Sequence, residues 1–435
     1  MRRLVLKNFR MVDEAADVFG TLVVEDGIIR ELAAGAADAG SSADMVIDGR
    51  GFGDGAVLMP AFVDLHAHFR DPGFPQKETL ESASLAAAAG GYGTVVCMAN
   101  TNPVIDTLEK AVSLKERSDA LGLIDLYPVL SLSKNMEGRE LSGIKNLPAG
   151  CALPLMLSED GKDLADERLF LAAMAEARRL GIPVSCHCDF GGIEAEAAQA
   201  AGRPRAEWSR MGENNAVRRV IELGKRAGCH IHIAHVSTME AAALIHAAKS
   251  PPANPPFTLT CEATPHHIGA TVEDAMRMGA ESLGRVNPPL RTEADRRAIA
   301  AAVCNGVIDA IATDHAPHSE ADKAAGAPGF TGLETAFAAC FSALNIDLRR
   351  LSALMSANPA RILGLYKGPG GRGRIAQGRR ADLVIADTRA VWKVRPEQCK
   401  SRGKCGPFTG RELRGKILVT IRGGRITFGG ESGVR

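Results

Sequence analysis

The sequence has no charge excess: 52 basic residues face 51 acidic ones, a formal net charge of +1. That balance argues against a chain built to bind nucleic acid or an anionic membrane surface, both of which need a basic face. No apolar run approaches the roughly 18–20 residues of a membrane span. Lys7, Asn8 and Arg10 interrupt the apolar residues near the start, so the opening stretch reads as a first strand of the fold and the expected compartment is the cytoplasm. The ten cysteines are scattered, several inside apolar runs (Cys97, Cys186, Cys261, Cys304), as free cytosolic thiols would be. Neither Cys186/Cys188 nor Cys399/Cys405 has zinc-finger spacing. There is no internal repeat of 20–50 residues.

What is present is a recurring short apolar run. The runs cover residues 57–68, 93–100, 124–132, 151–160, 182–189, 230–237, 257–267 and 307–318. Between them lie amphipathic stretches such as ETLESASLAAAAG, DERLFLAAMAEARRLG and EADRRAIAAAVCNG, ending in glycine as helices do. Near-continuous apolar strands alternating with helices mean a parallel sheet buried on both faces. Eight such units predict an α/β fold of the (β/α)8 type, a TIM-like barrel over residues 57–365 with its site at the strands' C-terminal ends. The flanks, 1–56 and 366–435, alternate with period two and are punctuated by glycine: RRLVLKNF, TLVVEDGIIREL, GRIAQG, ADLVIAD, KILVTIRGGRITF. Together they predict one small β-sandwich made from both chain ends. The proline-rich PPANPP at 251–256 reads as a surface loop.

The first run ends DLHAHFRDPG, residues 64–73. His66 and His68 are two apart, so they share one face of the strand. Alone, such a pair reads more readily as satisfied core histidines. The other runs decide against that, because Glu159-Asp160, His187, His235, Asp314 and His318 end the fourth, fifth, sixth and eighth runs. Four of these histidines and two of the carboxylates converging on one rim would make the ligand set of hydrolytic zinc. Six ligands exceed one tetrahedral shell, so two ions sharing a carboxylate are favoured over one. The remaining histidines read differently: His230 and His232 as structural at the far end of the sixth strand, His246 as solvated, and His315 as packing. His266 and His267 are within reach of the site.

With those residues in view, DLHAHFRDPG (64–73) and ATDHAPH (312–318) resemble the two signatures of the dihydroorotases, within the amidohydrolase superfamily. CMANTNP, SEDG, CHC, AHVST, CEATPHH and NPPLR match the intermediate blocks in order. The resemblance implies a long-chain bacterial (class I) dihydroorotase, interconverting N-carbamoyl-L-aspartate and L-dihydroorotate in pyrimidine biosynthesis. It further implies His66, His68 and Asp314 on one Zn2+, His187 and His235 on a second, and Asp160 between them. Asp314 would also carry the catalytic proton. Arg70, Asn100 and His318 would bind the substrate carboxylate, and Asn287 a ring amide. In hydantoinases a carboxylated lysine takes the bridging place, but the fourth run here has no lysine. Asn102 and Glu159 depart from residues common in the family. A homo-oligomer and a complex with aspartate transcarbamoylase are further implications of the resemblance. Two rivals stay open: a hydantoinase- or allantoinase-type amidase, and a catalytically silent partner of the transcarbamoylase.

Overall fold

The computed structural model describes residues 3–35, 43–189, 197–203, 205–250 and 257–429. The 251–256 stretch read as a surface loop lies outside these residues. The eight apolar runs form eight parallel strands: Phe62–Ala67, Tyr92–Cys97, Asp125–Pro128, Leu157–Ser158, Val184–Cys186, His230–Ile233, Thr258–Ala263 and Ala310–Ile311. Each pairs with its neighbour in chain order. Parallel bridges Leu130–Leu157 and Ala67–His315 join the two hydrogen-bonded sheets and close the ring. The first two strands are buried at every position, as the unbroken apolar runs require. Two strands are shorter than their runs. In the fourth, Pro154 brings no amide hydrogen to a ladder. In the eighth, ATDHAPH leaves the sheet to enter the site.

The helices begin where the sequence places caps. Thr79, Asp166 and Thr292 accept backbone amides at the starts of helices Leu80–Ala89, Glu167–Leu180 and Glu293–Cys304. Gly181 ends the second of these at φ 72°, in the left-handed region open to glycine. No helix among the described residues is long and apolar enough to cross a membrane.

Both chain ends join in one eight-stranded sheet, with Leu383–Lys393 lying antiparallel to Ala56–Pro60. Asp26 and Gly27, both at positive φ, make the tight turn between strands Asp17–Glu25 and Ile28–Ala34. This sheet has its own apolar core, including Leu6, Phe9, Leu22, Ile47, Leu58, Leu383 and Ile421. GRIAQG, expected as a strand, is an irregular connector instead. The sheet is locked to the barrel through Asp125, at the start of the third barrel strand. Its carboxylate receives Arg372 at 2.7 Å, Arg422 Nε at 3.0 Å, and Arg380. Burial opposes this charge, but the three guanidinium groups hold the carboxyl down to about 2.

Candidate active site

The polar residues that end the barrel strands converge on one cavity of about 210 Å³. His68, Arg70, Asn100, Asp160, His187, His235, Asn287, Asp314 and His318 line it. His66 lies buried behind them. Every sequence-predicted site residue is therefore in one place. Arg70, His235 and Asp314 sit at φ 58°, 35° and 44°. For non-glycine residues such backbone costs about 1–3 kcal/mol each and persists only where surrounding structure enforces it.

Asp160 is the hub. Its Oδ1 lies 3.1 Å from His66 Nε2 and 3.3 Å from His187 Nδ1, and its Oδ2 lies 3.4 Å from His68 Nε2. Asp314 Oδ1 is 3.1 Å from His68 Nε2 and 3.6 Å from His66 Nε2. His187 Nδ1 lies 2.8 Å from His235 Nε2. Burial works against both carboxylates, yet His66 holds each well below the ordinary range. Burial likewise opposes charge on His187, but Asp160 raises it to about 9. His235 is lowered to about 3, by burial first and then by His187.

The histidine tautomers test whether a cation fits. His66 Nδ1 is 2.9 Å from Glu262 Oε1, and His68 Nδ1 is 3.0 Å from Asn100 Oδ1. If both Nδ1–H groups donate outward, both Nε2 lone pairs face carboxylates. Acceptors facing acceptors in a buried site need either extra protons or a metal ion. Ligand atoms of His66, His68 and Asp314 lie within 4.8 Å of one another, as do those of His66, Asp160 and His235. The donor set of imidazole nitrogens and carboxylate oxygens suits zinc.

Glu159, beside the hub, turns away. Its carboxylate accepts the amides of Leu132 at 2.8 Å and Ser133 at 3.0 Å, together with the Ser133 hydroxyl. The two lysines nearest in sequence are also elsewhere: Lys162 donates to Met136 O at 2.8 Å, and Lys145 lies in the turn Gly143–Asn146.

Sequence reasoning missed Glu262. It is fully buried and takes His66 on one oxygen and His232 Nε2 on the other, at 3.0 Å. His232, read as structural, therefore stands one residue from the site. Thr260 Oγ1 contacts His232 Nδ1 and His230 Nε2 at 2.9 and 2.8 Å. An acidic residue inside an otherwise apolar barrel strand was the available signal. Asp64, equally buried, accepts the Thr313 hydroxyl at 2.6 Å and its amide at 2.9 Å, bracing the strand before Asp314.

The other histidines fall outside the cavity. His267 follows the seventh strand and holds Pro288 O at 3.1 Å, supporting the segment that bears Asn287. The His266 ring packs edge-on against Phe330. His315 Nδ1 accepts the Gly332 amide at 3.1 Å, on the opposite face from Asp314. His246 is exposed on helix Met239–Lys249.

The cavity wall carries one unusual cation. Arg70 is half-buried, its guanidinium 3.2 Å from Pro317 O and 3.2 Å from His318 Nε2. Burial lowers its pKa to about 10. Among the described residues no carboxylate pairs with it. Its neighbour Asp71 is already taken by Arg117, at 2.7 and 3.0 Å.

The model of the amidohydrolase family matches residues 57–427. A dihydroorotase of Clostridium botulinum (strain Eklund 17B / Type B) is 38% identical over 429 residues, 98% of this chain and 99% of that one. A dihydroorotase of Anaeromyxobacter dehalogenans (strain 2CP-C) is 36% identical over 438 residues, 97% of each. Among solved structures, the L-hydantoinase (dihydropyrimidinase) from Arthrobacter aurescens superposes with a TM-score of 0.84 at 25% identity, covering 100% of this chain and 98% of its own.

Proposed function

Because the chain belongs to the amidohydrolase family, on its dihydroorotase branch, we propose that it interconverts N-carbamoyl-L-aspartate and L-dihydroorotate with zinc at the rim site. At the coarser level it is a hydrolase acting on cyclic amides. His66, His68 and Asp314 would hold one ion, His187 and His235 a second, and Asp160 both. When bound, zinc lowers the pKa of water to about 7 and polarises the amide carbonyl.

The chain's own residues do the rest. In ring opening, water adds to the carbonyl carbon and the ring carbon–nitrogen bond breaks. Asp314, kept ionised among the imidazoles, accepts the proton the water gives up and delivers it to the departing nitrogen. Arg70, Asn100 and His318 grip the substrate carboxylate on the opposite wall, and Asn287 meets the ring amide. Arg205, which donates to Asn287 Oδ1, fixes that side chain.

The unpaired Arg70 carries the reading. A half-buried guanidinium on a substrate wall, with no carboxylate in ion-pair contact among the described residues, calls for an anion from the ligand. Neutral hydantoins offer none. The test is metal analysis of purified protein together with turnover of L-dihydroorotate, hydantoin and allantoin. Turnover of dihydroorotate alone supports the proposal. Preference for hydantoin or allantoin makes the chain another cyclic amidase, and bound metal without any turnover makes it a silent scaffold.

A further inference from the structure

A second, larger concavity of about 920 Å³ lies beside the substrate cavity, and among their linings only His318 is common to both. Lys323 forms part of its wall, in the short helix Glu320–Ala324, and is only 1% exposed. Its Nζ donates to three backbone carbonyls: Arg285 at 2.8 Å, Ala327 at 2.9 Å and Gly329 at 3.0 Å. An ammonium has three hydrogens, so all are used. Among the described residues no carboxylate pairs with it. A buried cation without a counter-ion is tolerated only where dipoles replace water, so these carbonyls must converge for Lys323 to be buried at all.

Of the three residues that offer these carbonyls, Gly329 lines the substrate cavity, while Arg285 and Ala327 stand two positions from Asn287 and one from Pro328, which do. Ala327 and Gly329 flank Pro328, whose carbonyl lies 2.9 Å from His318 Nε2. Arg285 opens the segment that leads to Asn287, and its carbonyl also receives the Gly329 amide at 3.0 Å. Asn287, His318, Pro328 and Gly329 all line the substrate cavity, whereas Lys323 does not. The fit there is close. Gly329 sits at φ 143°, and a Cβ on it would come within 2.5 Å of Ala316 O and 3.2 Å of His318 Cδ2.

We infer that Lys323 is a positioning residue for substrate binding, tying the 285–288 segment to the 327–329 loop and so setting the spacing of Asn287 and His318. The inference rests on the substrate reading above for what those two residues bind, and on geometry alone for the clamp. Lys323→Met keeps the chain length and removes the donors. Its KM for L-dihydroorotate is expected to rise roughly tenfold or more, with kcat within about threefold and bound metal unchanged, because the loss falls on binding. Lys323→Arg, which keeps the charge and can reach two of the carbonyls, should fall between it and the parent.

A second measurement needs no substrate. Hydrogen exchange in the holoenzyme should quicken at residues 285–291 and 326–332 in Lys323→Met and stay at the parent rate in the terminal sheet. Parent-like exchange in both segments overturns the clamp. So does acceleration spread evenly over the chain, which marks a general loss of stability. An unchanged KM, or a fall in kcat at constant KM, overturns the role in substrate binding. If Lys323→Met does not fold, Lys323→Arg is judged by the same criteria. A parent that leaves L-dihydroorotate untouched sinks the substrate reading, and exchange still decides the clamp.

Discussion

One carboxylate oxygen of Glu262 lies 2.9 Å from His66 Nδ1, on the side of the ring turned away from Asp160. The contact fixes which nitrogen of His66 faces the cavity. Burial works against the charge on Glu262, but His232 and His66 together hold its pKa down to about 2. Replacing it by a neutral amide removes the negative pull on Nδ1–H and makes Nε2 a poorer ligand. Glu262→Gln should therefore weaken metal binding by roughly 10–100-fold, as loss of an outer partner does elsewhere. Competition with a graded chelator, followed by metal analysis, measures it. Parent-like retention would make Glu262 a packing residue only.

Arg70 gives a prediction about substrate charge. Arg70→Met should raise the KM for L-dihydroorotate by a factor of roughly 30 or more, since truncating a desolvated charge pair costs about 2–5 kcal/mol and each 1.4 kcal/mol is about tenfold. Metal content should not change, because Arg70 meets the carboxylates of the rim only at a distance. Initial-rate kinetics settle the matter, and an unaltered KM would put Arg70 in a structural role beneath Pro317.

Much of this molecule was legible from pattern. Eight apolar runs became eight parallel strands because a strand buried on both faces has no polar period to hide. The histidines and aspartates at their ends met because a barrel brings all C-terminal ends to one rim. What stayed hidden depends on pairs distant in sequence. Glu262 reaches His66 across 196 positions. Lys323 matters through carbonyls, which no side-chain motif encodes. Asp125 reads as a strand residue, and its three arginines lie 247 to 297 positions downstream.

That Asp125 cluster sets a pH-dependent share of stability. The folded carboxyl titrates at about 2, below an unfolded value near 3.9. Its contribution is therefore complete above about pH 5, and it is lost as pH falls through the unfolded and then the folded value. Asp125→Asn should cost on the order of 2–3 kcal/mol at neutral pH, leaving Arg422 without its carboxylate and Arg372 and Arg380 with Asp382 alone. Urea unfolding of both proteins at neutral pH and near pH 3 is the check. The gap between them should narrow at the lower pH, and a gap independent of pH would remove Asp125 as the lock between sheet and barrel.

Asp160 and Glu159 make the sharpest contrast, because they are neighbours with opposite fates. A group shared by two ions must be anionic and offer two oxygens. Asp160 presents one oxygen to His66 and His187 and the other to His68, which is the disposition such a group requires. Glu159 spends both oxygens on Leu132 and Ser133. A lysine could serve only after carbon dioxide adds to its amine, and Lys162 is held at Met136 instead. Asp160→Ala should lose at least one metal ion per chain. Glu159→Ala should keep its full complement while losing about 1–3 kcal/mol of stability from the orphaned amides. Reconstitution of the metal-free parent should proceed equally well with and without bicarbonate, and its intact mass should show no carbamate. A requirement for bicarbonate, or metal loss from the Glu159 variant alone, would move the shared ligand away from Asp160.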